Sequence, residues 1–318
     1  MFRKLTSIFR SNSKTVPQIH LAAFGKHPGW MDHMDELGLT TDRLISLRRL
    51  LYVEGINSNI DSGAWRDLEP DHLLERFHHI FVWTAGTDIL IGRMWSSSDG
   101  RGRKLYPMIV AVHCEGISLE NALDLVLPRL EMLESRLTAT DSPDEVRTII
   151  HATEKVLTAL TKQIRVNGRP ASEPGYALRQ LVQYSELGPD HQGLHRVFYQ
   201  IDREMGDLKK SRSDSRSSAV SKAPSHHLRL PKCGERETEA ATLWLRFLSD
   251  LLPGPPPVLT FLPLDYDWVD LIIGVPTAKQ LYCLRVTPQR LPLTTEIPYS
   301  IDSEFIDQTN LVISKAGA

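Results

Sequence analysis

Short apolar runs bounded by glycine, proline and polar clusters mark strands along this chain, and apolar positions recurring every three to four residues mark helices. Gln18–Phe24 reads as a first strand that ends in Gly25-Lys-His-Pro-Gly29. Ile80–Trp83 and Asp88–Trp95 read as a hairpin turning at Ala85-Gly86-Thr87, and Pro107–Val112 as the next strand. Between the first strand and the hairpin, Thr40-Thr-Asp42 offers N-cap candidates for a helix carrying Leu44, Leu47, Leu50 and Leu51, with Gly55 as its expected stop. Asp71–Arg76 suggests a short helix.

From about residue 115 to 205 the pattern turns helical. Ser118 caps a helix to about Leu137, in which Pro128 is expected to kink or split the rod. Ser142-Pro-Asp-Glu145 has the form of a capping box with proline at the first helical position. The helix after it is expected to carry Val146, Ile149, Ile150, Thr153, Val156, Leu157, Leu160 and Ile164 on one face, and Gly168 ends it. Glu173–Leu187 and Gly193–Met205 suggest two more helices. Asp207–Ser225 is rich in Ser, Lys and Arg without apolar periodicity and reads as a flexible linker.

After the linker come a strand at His226–Leu230, a helix at Arg236–Leu252 and strands at Val258–Leu262, Trp268–Gly274 and Gln280–Val286. Strand, helix, three strands is also the order of residues 18–113. Either an internal duplication or a common α/β order would produce it. The expected fold class is α/β of the α+β type, with an antiparallel sheet and flanking helices. The expected division is a flexible basic N-terminus (1–17), an α/β domain (18–140), a helical segment (141–206), the linker (207–225), a second smaller α/β part with its own sheet (226–290) and a tail (291–318).

Hydrophobic content of 41% and charged content of 24% are ordinary for a globular chain of 318 residues. A net charge of −2 supplies no global field to recruit nucleic acid or an anionic membrane. Three scattered cysteines, Cys114, Cys233 and Cys283, argue for a reducing compartment. The basic start (Arg3, Lys4, Arg10) lacks the apolar core of a signal peptide, and no window is apolar enough for a transmembrane segment, so a cytoplasmic location is expected.

Candidate chemistry is sparse. His27-Pro-Gly-Trp-Met-Asp-His33 ends like a metallohydrolase signature but has Gly29 where a second imidazole ligand belongs. His191 and His195 have the spacing of a zinc pair, yet Gln192 replaces the glutamate base, and both read as surface residues. Neither cofactor nor metal is expected. Ser96-Ser-Ser-Asp-Gly-Arg-Gly-Arg103 has the glycines and arginines of an anion-cradling nest, although a phosphate-loop sequence is absent and Asp99-Gly100 is also simply a good turn.

Two segments resemble the TagF (ImpM) family of type VI secretion-associated proteins. Ala23-Phe-Gly-Lys-His-Pro-Gly-Trp-Met-Asp32 is similar to that family's Phe-Gly-Lys-x-Pro-x-x-x-Asp, through Gly25, Lys26, Pro28 and Asp32. Ser98-Asp-Gly-Arg-Gly-Arg-Lys-Leu-Tyr-Pro107 is similar to Ser-x-Asp-x-x-Gly-Arg-x-[Tyr/Phe]-Pro, onto which Ser97, Asp99, Gly102, Arg103, Tyr106 and Pro107 can be laid with one extra residue in the gap. The likeness covers residues 18 to about 140. Trp30-Met31 stands where the family has Arg-Gly, which marks a divergent relative. The resemblance implies a longin-like antiparallel sheet with flanking helices, no settled enzymatic activity, and a regulatory role in secretion through protein partners such as a forkhead-associated scaffold. The opposite charges of Asp32 and Arg103 predict a pair where the two loops meet. Two other readings are a nucleotide- or phosphate-binding protein or enzyme that uses the same loops, and a passive scaffold subunit.

Overall fold

The computed structural model describes residues 17–162, 175–213, 225–252 and 256–317. The basic N-terminus up to residue 16, the Gly168 stop and residues 214–224 of the expected linker lie outside them.

The apolar runs form the strands expected of them: β1 (Gln18–Gly25), β2 (His78–Ala85), β3 (Asp88–Ser96) and β4 (Pro107–Glu115). Gly86 takes φ +67° in the two-residue turn between β2 and β3, a conformation open to glycine without steric cost. β5 (His226–Pro231), β6 (Val258–Pro263) and β7 (Trp268–Ile273) follow the same rule. All seven belong to one sheet in the order β1-β4-β3-β2-β6-β7-β5, with every neighbouring pair antiparallel. The mixed α/β class with an antiparallel sheet therefore holds.

The separate second sheet does not form. β6 pairs with β2 from Thr84↔Val258 to His79↔Pro263, so residues 226–273 extend the first sheet edge-on. β6 is buried throughout and β2 over His79–Val82, and pairing them satisfies backbone groups that would otherwise be buried without partners. Nor do the two halves repeat one another. β1 runs antiparallel to β2, whereas β5 runs parallel to β6 with β7 between them. Their linking helices also lie on opposite faces.

One face of the sheet carries Leu21, Val82, Ile91, Val110, Leu230 and Leu271. It is covered by α3 (Leu119–Thr138), α4 (Pro143–Thr161), α5 (Tyr176–Leu181), α6 (Gln192–Ser213), α7 (Glu237–Leu251) and α8 (Ser303–Gly317). The other face carries Phe24, Phe81, Met94, Ile109, Phe261 and Ile272 beneath α1 (Asp42–Arg48), α2 (Asn57–Asp61) and the 3₁₀ stretch Ala278–Arg285. This alternation is the period-2 signature of strands packed on both sides.

Several helical expectations change. Gly55 stops nothing: a π-helical stretch, Arg49–Ile56, joins α1 to α2 through it. A Cβ on Gly55 would meet Leu281 Cδ1 at 2.1 Å, so the glycine is there for close packing. Residues 280–286 are not a strand: 280–285 lie in the 3₁₀ stretch, which Thr277 and Gln280 close with a capping box, and Val286 makes an isolated bridge to Leu73. Asp71–Arg76 contributes only the turn Pro70–His72. α3 runs unbroken through Pro128, which lies on its exposed side. At the start of α4, Ser142 Oγ accepts from the Glu145 amide, but the Ser142 amide bonds Thr140 Oγ1 and that hydroxyl bonds Glu145, so the box closes through Thr140. α6 continues to Ser213, past the expected start of the linker.

Both sheet edges are covered. On β1, Ala23 exchanges two 2.9 Å hydrogen bonds with Leu37, and the Leu21 amide donates to Glu154 of α4. On β5, the Arg229 carbonyl accepts from the Thr294 amide at 2.7 Å and the His227 carbonyl from Gln200.

Candidate functional site

β1 and β4 are paired to their ends, so the loops leaving β1 and entering β4 sit side by side. Gly25 is the last residue of β1, with φ +119°, and a Cβ there would stand 2.2 Å from the Pro107 carbonyl oxygen. No larger residue fits, and the approach lets the Lys26 amide donate to that same oxygen at 3.1 Å. The first motif is thereby fixed against the last residue of the second.

Lys26 then turns inward. Its ammonium bonds Asp99 Oδ2 at 2.9 Å and also bonds Asp32. The side chains of Lys26 and Asp99 are 4% and 0% exposed. Asp99 Oδ1 accepts the amides of Arg101 (3.0 Å) and Arg103 (3.1 Å), and Oδ2 accepts Arg103 Nε at 2.7 Å. Burial opposes ionisation of Asp99, but the bonds from Lys26, the two amides and Arg103 outweigh it and hold the carboxyl well below the usual range. The glycine-rich loop is thus a nest whose anion is its own Asp99. Gly102, at φ +77°, makes the turn.

Arg103 completes the cluster. Its Nη2 reaches Asp32 Oδ1 at 3.1 Å and the Met31 carbonyl at 3.1 Å, so the expected Asp32–Arg103 pair is present. It lies at the surface, with side-chain exposures of 65% and 47%, around a buried Lys26–Asp99 pair that charge complementarity alone did not single out. The hydrogen bond from Lys26 is the main cause that keeps the Asp32 carboxyl below its ordinary range. Gly100 locks the loops again, its amide donating to the Trp30 carbonyl at 2.6 Å.

The remaining motif residues brace the cluster from outside. Tyr106 bonds Asn57 of α2 at 2.5 Å and lies with His33 against Tyr52, whose hydroxyl bonds His33 Nδ1 at 2.7 Å. Pro28 and Ser97 face a cleft of about 890 Å³ on the neighbouring side of the loops. His27 walls the same cleft, but both its nitrogens are engaged, Nε2 with the Leu137 carbonyl and Nδ1 with the Gly29 amide, and burial lowers its pKa.

The other candidates disperse. His195 is buried rather than on the surface, bonding Asn310 of α8 at 2.9 Å, while His191 sits in the preceding turn with φ 58°. Cys114 is a packed strand residue whose thiol burial pushes up to about 12. Among the described residues, His227, Asp270 and Cys283 bring metal-ligand types within 4.8 Å of one another, a grouping that sequence spacing does not reveal. A guanidinium already stands where a cation would: Arg229 binds both Asp270 oxygens, at 2.7 and 2.8 Å, and His227 and Trp268 take the remaining lone pairs. That group reads as a structural ion pair.

No known family's sequence model matches the chain, and no curated protein matches it.

Proposed function

We propose that this chain is a cytosolic protein-interaction module without catalytic activity, a divergent TagF-like regulator or accessory factor of type VI-like secretion machinery. The observation that carries this reading is the clamp of Lys26, Asp99, Arg103 and Asp32. It turns two loops bearing the family-like residues into one rigid rim, and preorganised loops on a rigid sheet are where binding surfaces form at low entropic cost. The charges of the clamp neutralise one another, which suits a positioning role better than acid–base work. Outside it stand two large exposed apolar side chains, Met31 (67%) and Leu105 (64%), one from each loop. Covered sheet edges favour recognition through such side chains rather than by strand addition.

The partner class is another secretion component, in the first instance a forkhead-associated scaffold. The test is calorimetric titration of the purified chain with such a scaffold, beside the double variant Met31→Asp/Leu105→Asp. A complex that forms with the natural chain and is lost in the variant, at unchanged melting temperature, is the expected result. No binding by the natural chain, or binding unaffected by the variant, would overturn the rim as the docking surface.

A further inference from the structure

Beside the rim lies the cleft of about 890 Å³, within the size range of small-molecule sites. Trp65, Trp95, Leu73 and Leu137 give it flat apolar walls, and Lys104 and Arg285 supply charge. Its other two arginines are already neutralised, Arg76 by both oxygens of Asp265 and Arg66 by Asp67.

Arg285 differs from them. Its Nε donates to the Leu74 carbonyl at 2.9 Å and Nη2 to the Glu75 carbonyl at 3.5 Å, and the guanidinium lies over the Phe77 ring at 4.9 Å. No carboxylate among the described residues pairs with it, and its partial removal from water lowers its pKa. The two carbonyls hold the group in place and leave N–H donors of the fork unused. An arginine so placed, half-buried and without a counter-charge, favours an anion. The same cleft is lined by Ser97 and Ser98, whose hydroxyls make no hydrogen bond with other described residues, and by Lys104, which has no ion pair among the described residues. Glu75 is the single acid of the lining; it is solvent-exposed.

We infer that this cleft binds a small anion with a flat apolar body, its phosphate or carboxylate held by Arg285, Lys104 and the two serines and its body between Trp65 and Trp95. The site goes beyond the partner reading and does not depend on it: the charges of the clamp are spent on each other, and those of Arg285 and Lys104 are not.

Both tryptophans report on occupancy. The full chain is titrated with phenyl phosphate, benzoate, inorganic phosphate and benzyl alcohol, following tryptophan fluorescence and the heat of binding. At least one aryl anion is expected to bind saturably, about tenfold or more tighter than inorganic phosphate, with benzyl alcohol inert. Phenyl phosphate and benzoate separate a phosphate preference from a carboxylate one. Arg285→Gln and Lys104→Gln are each expected to weaken binding about tenfold, and Lys155→Gln, on the outer side of α4, to leave it unchanged. Arg285→Gln also removes bonds to two carbonyls, so the exposed Lys104 variant keeps the test independent of folding. Failure of both aryl anions to saturate, or unchanged affinity in Lys104→Gln, would overturn the site.

Discussion

Lys26 and Asp99 lie 73 residues apart in sequence and form a buried ion pair, Nζ to Oδ2 at 2.9 Å, where the loop leaving β1 meets the loop entering β4. Each member has help of a different kind. Asp99 keeps Arg103 and two backbone amides if Lys26 is lost, whereas Lys26 keeps only the exposed Asp32 if Asp99 is lost.

That asymmetry sets an order of stabilities. Lys26→Met is expected to cost about 1.5–3 kcal/mol, the range for hydrogen bonds to charged groups. Asp99→Ala is expected to cost more, because it strands a buried ammonium. Asp32→Ala, at the solvent end, is expected to cost least, and Lys26→Met combined with Asp99→Ala less than Asp99→Ala alone. Urea unfolding midpoints of the four variants check the order; a double variant worse than Asp99→Ala would show that the pair does not act as a unit.

Two glycines at positive φ separate strain from steric fit. A Cβ on Gly102 meets nothing within 4 Å, so Gly102→Ala is expected to cost only the left-handed penalty of about 1–2 kcal/mol. Gly25→Ala adds a collision with the Pro107 carbonyl and is expected to cost at least about 3 kcal/mol. Equal losses in calorimetric melting would refute the close approach as the reason for Gly25.

At the far side of the sheet, Arg229 spans Asp270 and the carbonyls of Cys283, Val286 and Leu291, tying β5 and β7 to the segment that follows them. Asp270→Ala is expected to cost about 3–5 kcal/mol by leaving that guanidinium buried and unpaired. Arg229→Lys is expected to be far from neutral, since an ammonium cannot reproduce the fork. Retention of the wild-type urea midpoint in Arg229→Lys would contradict this.

Acid should weaken the fold by two routes of the same sign. His79 is buried, and burial lowers its pKa from 6.5 to about 3, so below pH 6.5 the unfolded chain takes up a proton that the folded chain refuses. Stability therefore falls as pH drops through that window, by up to about 1.4 kcal/mol per pH unit from this group. For Asp270, burial raises the pKa, but Arg229 and His227 outweigh it and hold it at about 2, below the ordinary 3.8. Its contribution is present above 3.8 and is lost as pH falls towards 2. His79→Leu is expected to flatten the dependence between pH 6 and 4 while leaving the steeper loss below pH 4. An unchanged slope in urea unfolding at those pH values would show that His79 is not held neutral.

Much of the sheet is legible in the sequence because its strands are buried on both faces and read as continuous apolar runs. Val258–Pro263 and Trp268–Ile273 are buried at every position. Which strands pair is not written locally, and the β2–β6 junction therefore escapes a reading that proceeds along the chain. Gln280–Val286 misleads because its hydrophobic residues suit a strand, yet Leu281 and Leu284 share the three-residue repeat of a 3₁₀ turn and Thr277–Gln280 is a capping box in plain view. Gly55 misleads because a helix-ending residue and a close-packing residue have the same single-letter signature. The Asp32–Arg103 pair follows from opposite charges in two matched loops, but the burial that ranks Lys26–Asp99 above it depends on depth, which no charge pattern records.

The β2–β6 junction also sets a clock on the birth of the protein. Thr84 and Val258, hydrogen-bonded neighbours in the finished sheet, are 174 residues apart. At ribosomal rates of roughly 5–20 residues per second, β2 waits on the order of tens of seconds for its partner. Throughout that interval β1 to β4 can assemble with the apolar side of Ile80, Phe81 and Val82 open along a bare edge, a template for unwanted pairing with any other nascent chain. A chain interrupted before β6 keeps that edge permanently. Termination anywhere between β4 and β6 would therefore yield an aggregating fragment rather than a smaller working protein.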